Sequence, residues 1–294
     1  MGLIGGSVAL ALKKAQFVTH IVGVGRTQAS LNEALKLGVI DAICIADDKQ
    51  TNIQAALDGA DLVLIAAPVA QTAGILQSIK PHLNQQTIIT DAGSTKGDVL
   101  TCAKEILGEQ FSQFVGGHPI AGAEKSGVSA AKDDLFIGKN VVLTPVISHT
   151  PETTHNKTNR DAVAMVADLW KKCGANVTEM SAENHDNIFA AVSHLPHLLA
   201  FALVDDIASR PNATQLFSFA ASGFRDFTRI AGSSPEMWRD ISLANRTALL
   251  GEISAFEDEL SLLKQLLKND DGAGLQALFE RASVARNNWA LNKK

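Results

Sequence analysis

The sequence predicts an α/β protein: a doubly wound parallel sheet whose first strand is truncated, followed by an all-helical domain. Three observations carry that reading. Short, continuously apolar runs alternate with helical stretches through the first half, the pattern of a parallel sheet covered by helices on both faces. A glycine-rich turn, Gly2-Leu3-Ile4-Gly5-Gly6-Ser7, opens the chain and runs straight into a helical pattern. The second half consists almost wholly of long helical patterns. A chain of 294 residues has room for two domains, each of about 150 residues. The expected division is 1–150 and 151–294, at the polar stretch Thr150 to Asn159.

Taken in order, the opening turn reads as the back end of a Rossmann dinucleotide fingerprint. Gly2 stands where backbone approaches a pyrophosphate, and Gly5 where helix and strand pack closely; Leu3 and Ile4 lie between them. A plain glycine-rich helix start fits the same residues. The fingerprint's first glycine and its strand would precede Met1, so the expectation is that Met1 is internal to the turn. That strand is central in such a sheet, and its omission leaves two unpaired edges. His20 to Val24 fits the next strand, Ala29 to Leu37 a helix and Ala42 to Ala46 a short strand. Asp61 to Ala67 is a buried strand stopped by Pro68, and Gln71 to Ile79 a helix. Thr87 to Asp91 is a strand, and Lys96 to Leu107 a helix. Gln113 to Gly116 and Asn140 to Thr144 complete the alternation, read as parallel.

Ligands of such sheets bind at the carboxyl ends of the strands. Pro68, Ser94 and His118 all fall there. After the His20–Val24 strand an acid would bind a ribose hydroxyl, but this chain has Gly25-Arg26-Thr27. Arg26 can receive a 2′-phosphate, stack on adenine or stand in solvent, so either NAD or NADP is expected as cofactor. Ser94 reads as a helix N-cap, alternatively Thr95, or as a hydrogen-bond partner that fixes the tautomer of His118.

In the second half, Arg160 to Cys173 is an amphipathic helix with Gly174 as its stop. Ala182 to Ser209 is a long helical run, kinked at Pro196. It carries Ser193-His194-Leu195-Pro196-His197, and the two histidines share a face. They can be core histidines, cleft-lining residues or metal ligands. No third and fourth ligand stands at a recognised spacing, so no metal is expected. Arg225 and Arg229 are either solvated charges or the match for a ligand carboxylate. Ser234 caps a helix that starts at Pro235. Ser242 to Lys268 and Leu275 to Trp289 are long amphipathic helices, apolar enough to pack on a second subunit.

Composition narrows the classes. A net charge of −5 gives no basic field for nucleic acid. Cys44, Cys102 and Cys173 show no pair spacing, which fits a reducing, cytoplasmic setting. No apolar run is read as a membrane span.

The motifs G-L-I-G-G-S, D-A-G-S-T-K, H-P-I-A-G-A-E-K-S-G, S-H-L-P-H, F-R-D-F-T-R-I-A and M-W-R-D-I follow one another along the chain. In that order they resemble the prephenate dehydrogenases, including the arogenate and cyclohexadienyl dehydrogenases. The resemblance implies a nucleotide-binding domain and a helical domain that forms a homodimer. It also implies NAD(P)-dependent oxidative decarboxylation of prephenate to 4-hydroxyphenylpyruvate, or of arogenate to tyrosine. By the same resemblance His118 is the catalytic histidine, Ser94 orients it, and Arg229 binds a substrate carboxylate. Ser193, His194 and His197 lie near the substrate, with Glu124 and Lys125 at the cleft mouth. Two alternatives stand beside it: a β-hydroxyacid-type dehydrogenase, which uses a lysine on a second-domain helix, and a dinucleotide-binding regulatory protein without turnover.

Overall fold

The computed structural model describes residues 1–46, 53–122, 127–147 and 157–291. In chain order the first elements are α1 (Leu3–Lys14), β1 (Val22–Gly25), α2 (Gln28–Lys36), β2 (Ala42–Ile45) and α3 (Ile53–Leu57). They are followed by β3 (Leu62–Ile65), α4 (Thr72–Ile79), β4 (Ile88–Asp91), α5 (Gly97–Leu107) and β5 (Phe114–Pro119). Next come β6 (Asn140–Thr144), α6 (Arg160–Lys172) and β7 (Asn176–Glu179). The site helices are α7 (Ala182–Phe189), a π turn (Ala190–His194), α8 (Leu195–Ala208), α9 (Ala213–Ser218), α10 (Ser222–Thr228) and α11 (Pro235–Ala244). The chain ends in α12 (Arg246–Lys268) and α13 (Gly272–Leu291).

Among the described residues the strands form two sheets, β1-β2 and β3-β4-β5-β6-β7. Among the described residues β1 therefore pairs with β2 alone, and β3 with β4 alone. Consecutive residues along a strand point to opposite faces, and the core divides accordingly. Leu64, Ile88 and Val115 join the cluster of α1 and α6, including the fully buried Trp170. Ile65, Ile89 and Phe114 join the cluster of α3, α4 and α5. A third cluster, with Ala9, Leu31 and Ile40, secures the β1-β2 part.

Two expectations, the direction of β6 and the unbroken helix from Ser242 to Lys268, are corrected. β6 runs antiparallel to β5, not parallel. Parallel neighbours need a crossover, usually a helix, and the described residues between these two strands contain only the short 3-10 turn Val128–Ala130. The boundary at 150 falls inside one compact unit, Met1–Arg246, with Thr247–Lys294 as the other. The reason is that α6 shares its core with α1, and β7 extends the sheet beside β6. The helix expected from Ser242 to Lys268 is broken at Asn245, whose φ is −105° and ψ 27°.

The helical run Ala182–Ala208 has 27 residues and contains an 18-residue window of mean hydropathy 1.6, long and apolar enough by those measures alone to span a membrane. Within the fold, its His185, Phe189, Ala190, His194, Leu195 and Ala200 are buried. Pro196 lacks the N–H that would continue the helical ladder, and the π turn just before it absorbs the defect. Gly174, with φ +85°, ends α6 in the left-handed region as expected, and Ser234 caps α11 at Met237 N, 3.3 Å away. Unit Thr247–Lys294 is a helical pair that leaves Leu250, Leu267, Phe279, Val284 and Leu291 exposed.

Candidate functional site: a histidine relay at the carboxyl edge of the sheet

His118 sits near the end of β5, which continues past its expected end because His118 and Pro119 pair with Val142 and Val141 of β6. β5 leaves β4 after Val115. Asp91 fills the gap: its Oδ1 accepts from Gly117 N at 3.0 Å. Lys96 holds that carboxylate through Oδ2 and donates to Gly117 O at 2.8 Å. Both charged side chains are buried, so each depends on the other for compensation. The pair fixes the backbone that carries His118.

The imidazole of His118 does not meet the Ser94 hydroxyl. Its Nδ1 lies 2.8 Å from Nε2 of His185 in α7. His185 Nδ1 lies 2.8 Å from Asp186 Oδ1. Asp186 in turn accepts from Lys96 N at 2.9 Å and Gly97 N at 2.8 Å, at the start of α5. Asp186 is thus the cap of α5, in place of Ser94 or Thr95. Gly97 permits this approach, since a Cβ there would stand 2.9 Å from Asp186 Oδ2. Phe189 packs on both rings, at 4.9 Å from His118 and 4.5 Å from His185.

Burial pushes the His118 pKa well below its usual value, and the neighbouring basic groups His185, Lys96 and His194 further disfavour a charge on it. Burial also lowers His185, against the opposing pull of Asp186. For Asp186 burial acts upward, but the hydrogen bonds from His185, Gly97 and Lys96 outweigh it and hold the carboxyl below its usual range. The cluster is therefore two neutral imidazoles and one carboxylate at neutral pH.

A second group of expected residues gathers alongside. Asn245, at the helix break, donates to Asp186 O at 2.7 Å and to His194 Nδ1 at 3.1 Å. His194 is buried and its pKa is lowered to about 4, chiefly by that burial. His197 donates from Nδ1 to Ser193 O at 2.8 Å and stacks on Trp238 with ring centroids 3.6 Å apart. Arg229, exposed at the end of α10, is close enough to lower the His197 pKa further, after burial. Ser94 lies in the turn between β4 and α5, its backbone near His194. Glu124 and Lys125 lie outside the described residues.

The expected cofactor residues stand at strand ends. Gly2 is the N-cap of α1, with open space where a Cβ would be. Leu3 and Ile4 begin the helix. Gly5 lies so close to Ala66, just past β3, that a Cβ would be 3.2 Å from the alanine's. The Met1 nitrogen lies against Gly25 at the end of β1. Arg26 and Thr27 follow β1, and exposed Pro68 follows β3. A helix start with unpaired N–H donors, reached across glycines, fits the pyrophosphate of a dinucleotide. No cluster of three or more His, Cys, Asp or Glu suited to a metal occurs among the described residues.

Sequence reasoning missed His185, Asp186, Asn245, and the pairing of Asp91 with Lys96. The last was within reach, because both lie in the D-A-G-S-T-K motif already singled out. The others depend on long-range packing.

Comparison with known proteins agrees with this geometry. The family model described as "Prephenate dehydrogenase, nucleotide-binding domain" matches residues 8–179, and that described as "Prephenate dehydrogenase, dimerization domain" matches 181–281. The chain is 38% identical to a prephenate dehydrogenase of Bacillus subtilis, over 100% of this chain and 76% of that one. It is 34% identical to a cyclohexadienyl dehydrogenase of Zymomonas mobilis, over 97% and 92%. A crystal structure of prephenate dehydrogenase from A. aeolicus, in complex with hydroxyphenyl propionate and NAD+, superposes with TM-score 0.87 at 37% identity, covering 98% and 95% of the two chains. With both family models matched in order along the chain, this chain belongs to the prephenate dehydrogenase family.

Proposed function

We propose that the protein catalyses the NAD(P)-dependent oxidative decarboxylation of prephenate to 4-hydroxyphenylpyruvate in tyrosine biosynthesis, with arogenate, giving tyrosine, as the related substrate of the same site. The observation that carries this reading is a neutral, half-buried imidazole, His118, at the carboxyl edge of a nucleotide-binding sheet. Gly2, Leu3, Ile4, Gly5, Arg26, Thr27 and Pro68 hold the dinucleotide, which when bound supplies the hydride acceptor. His118 accepts the proton of the ring 4-hydroxyl as hydride leaves the same carbon. It returns that proton to the oxygen as the ring carboxylate departs as carbon dioxide and the ring becomes aromatic. Aromatisation drives the step, so a neutral imidazole suffices and no strong base is needed.

Arg229 binds a substrate carboxylate, and Ser193, His194 and His197 line the site beside it. Ser94 contributes from the β4–α5 turn, Glu124 and Lys125 from the mouth. The exposed apolar side chains of α12 and α13 support a homodimer, as does the match of residues 181–281 to a dimerization-domain family model. The β-hydroxyacid reading needs a lysine on the second-domain helix, and 182–208 holds none. His118→Asn should lower kcat by about 10²–10⁴-fold, the usual share of general acid–base help, with the dinucleotide Kd within threefold of wild type. Unchanged kcat would remove His118 from the chemistry.

A further inference from the structure

Asp186 and His185 have no place in the chemistry just described, yet they form a continuous chain to His118. The direction of each hydrogen bond in that chain can be worked out. Asp186 is an acceptor: two backbone N–H groups already point at its carboxylate, at 2.9 and 2.8 Å. It therefore accepts from His185, which places the His185 proton on Nδ1, 2.8 Å from Oδ1. A neutral His185 then has a bare Nε2, which can only accept. Nε2 lies 2.8 Å from His118 Nδ1, so His118 must donate there, and its own Nε2 is left bare.

We propose that His185 and Asp186 are positioning residues that lock His118 in the Nδ1–H tautomer, so that Nε2 is the atom that takes the substrate proton. The start of α5 anchors the relay: it fixes Asp186, Asp186 fixes the His185 ring, and His185 fixes His118. The opposite tautomer of His118 would set its bare Nδ1 against the bare Nε2 of His185 or, with the His185 proton moved to Nε2, take from Asp186 the donor it has in His185. Phe189 keeps both rings in contact and covers them. The charged and titratable groups that act on His118 are His185 on α7, His194 in the π turn and Lys96 before α5, while Asp186 on α7 and Asp91 on β4 act on His185. Asp91 neutralises Lys96, so the carboxylate of Asp186 is the relay's own source of polarity.

The proposal rests on the reading of His118 as the base, and its test separates the two. Uniformly 15N-histidine-labelled wild-type protein, with the His118 signals assigned by their loss in His118→Asn, should show a pyrrole-like Nδ1 and a pyridine-like Nε2 at pH 7.5. This needs no substrate and no relay variant. His185→Gln and His185→Phe then divide relay from packing. Gln can present a carbonyl oxygen where Nε2 stood but loses the ring; Phe keeps the ring and loses the acceptor. The relay predicts that Phe lowers kcat with prephenate by about a hundredfold, within the usual range for acid–base help. Gln should recover at least tenfold of that, and both should keep KM within threefold. A pyridine-like Nδ1 in wild type overturns the proposal, and so does a Phe variant as active as the Gln variant. If the variants fail to fold, or prephenate is not turned over by wild type, the wild-type tautomer decides the relay by itself, while the absence of turnover counts against the proposed function.

Discussion

His118 and His194 are histidines that the fold keeps uncharged, and this has consequences in two pH windows. Activity needs neutral His118, whose pKa lies well below 6.5 because of burial and neighbouring positive charge. The kcat/KM profile should therefore stay flat as pH falls from 8 to 6.5, and a limb with its midpoint at or above 6.5 would contradict this. Stability follows by linkage. Burial lowers the His194 pKa to about 4 in the folded state, against an ordinary 6.5, so between those values the unfolded chain binds the extra proton. The contribution is fully present above 6.5 and is lost as pH falls toward 4, on the order of 3 kcal/mol in all. Urea melts at pH 7.5 and 5.0 should show a lower midpoint at 5.0; equal midpoints would contradict the burial of a neutral His194. Arg229→Ala should raise the substrate KM roughly ten- to a hundredfold, the scale of hydrogen bonds to a charged group, and a fall in kcat alone would refute the carboxylate role. At this scale His118, Ser94, His194, His197 and Arg229 stood out as candidates because each sits in a compact motif of chemistry-bearing residues. Asp186 did not, because the Lys96 and Gly97 N–H groups that it accepts from lie 90 and 89 residues away in the chain.

Helix α5 shows how an element can be read correctly while its cap is not. Its apolar spacing marked the helix, and Ser94 or Thr95 was the local candidate for the cap. The actual cap comes from Asp186 on α7, a pairing that no local pattern encodes. The same limit applies to β6: its apolar run announced a strand, but direction depends on the connection that delivers it. The kink at Pro196 was legible because it follows from one missing N–H. The turn before α5 also carries the Asp91–Lys96 pair. Lys96→Met should destabilise the protein by about 3–5 kcal/mol, since it leaves a buried carboxylate without its cation. Adding Asp91→Asn to Lys96→Met should recover part of that loss in urea unfolding. If the double variant is no more stable than the single one, the pair is not what holds β5.

Over the whole molecule, the α/β plan was read from alternating apolar runs, and the strands divide into β1-β2 and β3–β7. A polar stretch marks a loop and says nothing about which core the next helix joins; α6 shares its core with α1. The Thr247–Lys294 unit exposes Leu250, Leu267, Phe279, Val284 and Leu291, between 57% and 68% accessible each, more apolar surface on one small unit than solvent normally meets. Sedimentation equilibrium should give twice the chain mass of 31.1 kDa, and a monomer at micromolar concentration would contradict the dimer. The central claim is that this site oxidises and decarboxylates prephenate, and its most direct measurement follows reduced nucleotide and 4-hydroxyphenylpyruvate together after prephenate is mixed with the protein and NAD+ or NADP+. The account predicts equal amounts of both products, with His118→Asn reducing them in parallel. A folded protein that yields neither product from prephenate, or reduced nucleotide without the aromatic acid, would contradict it.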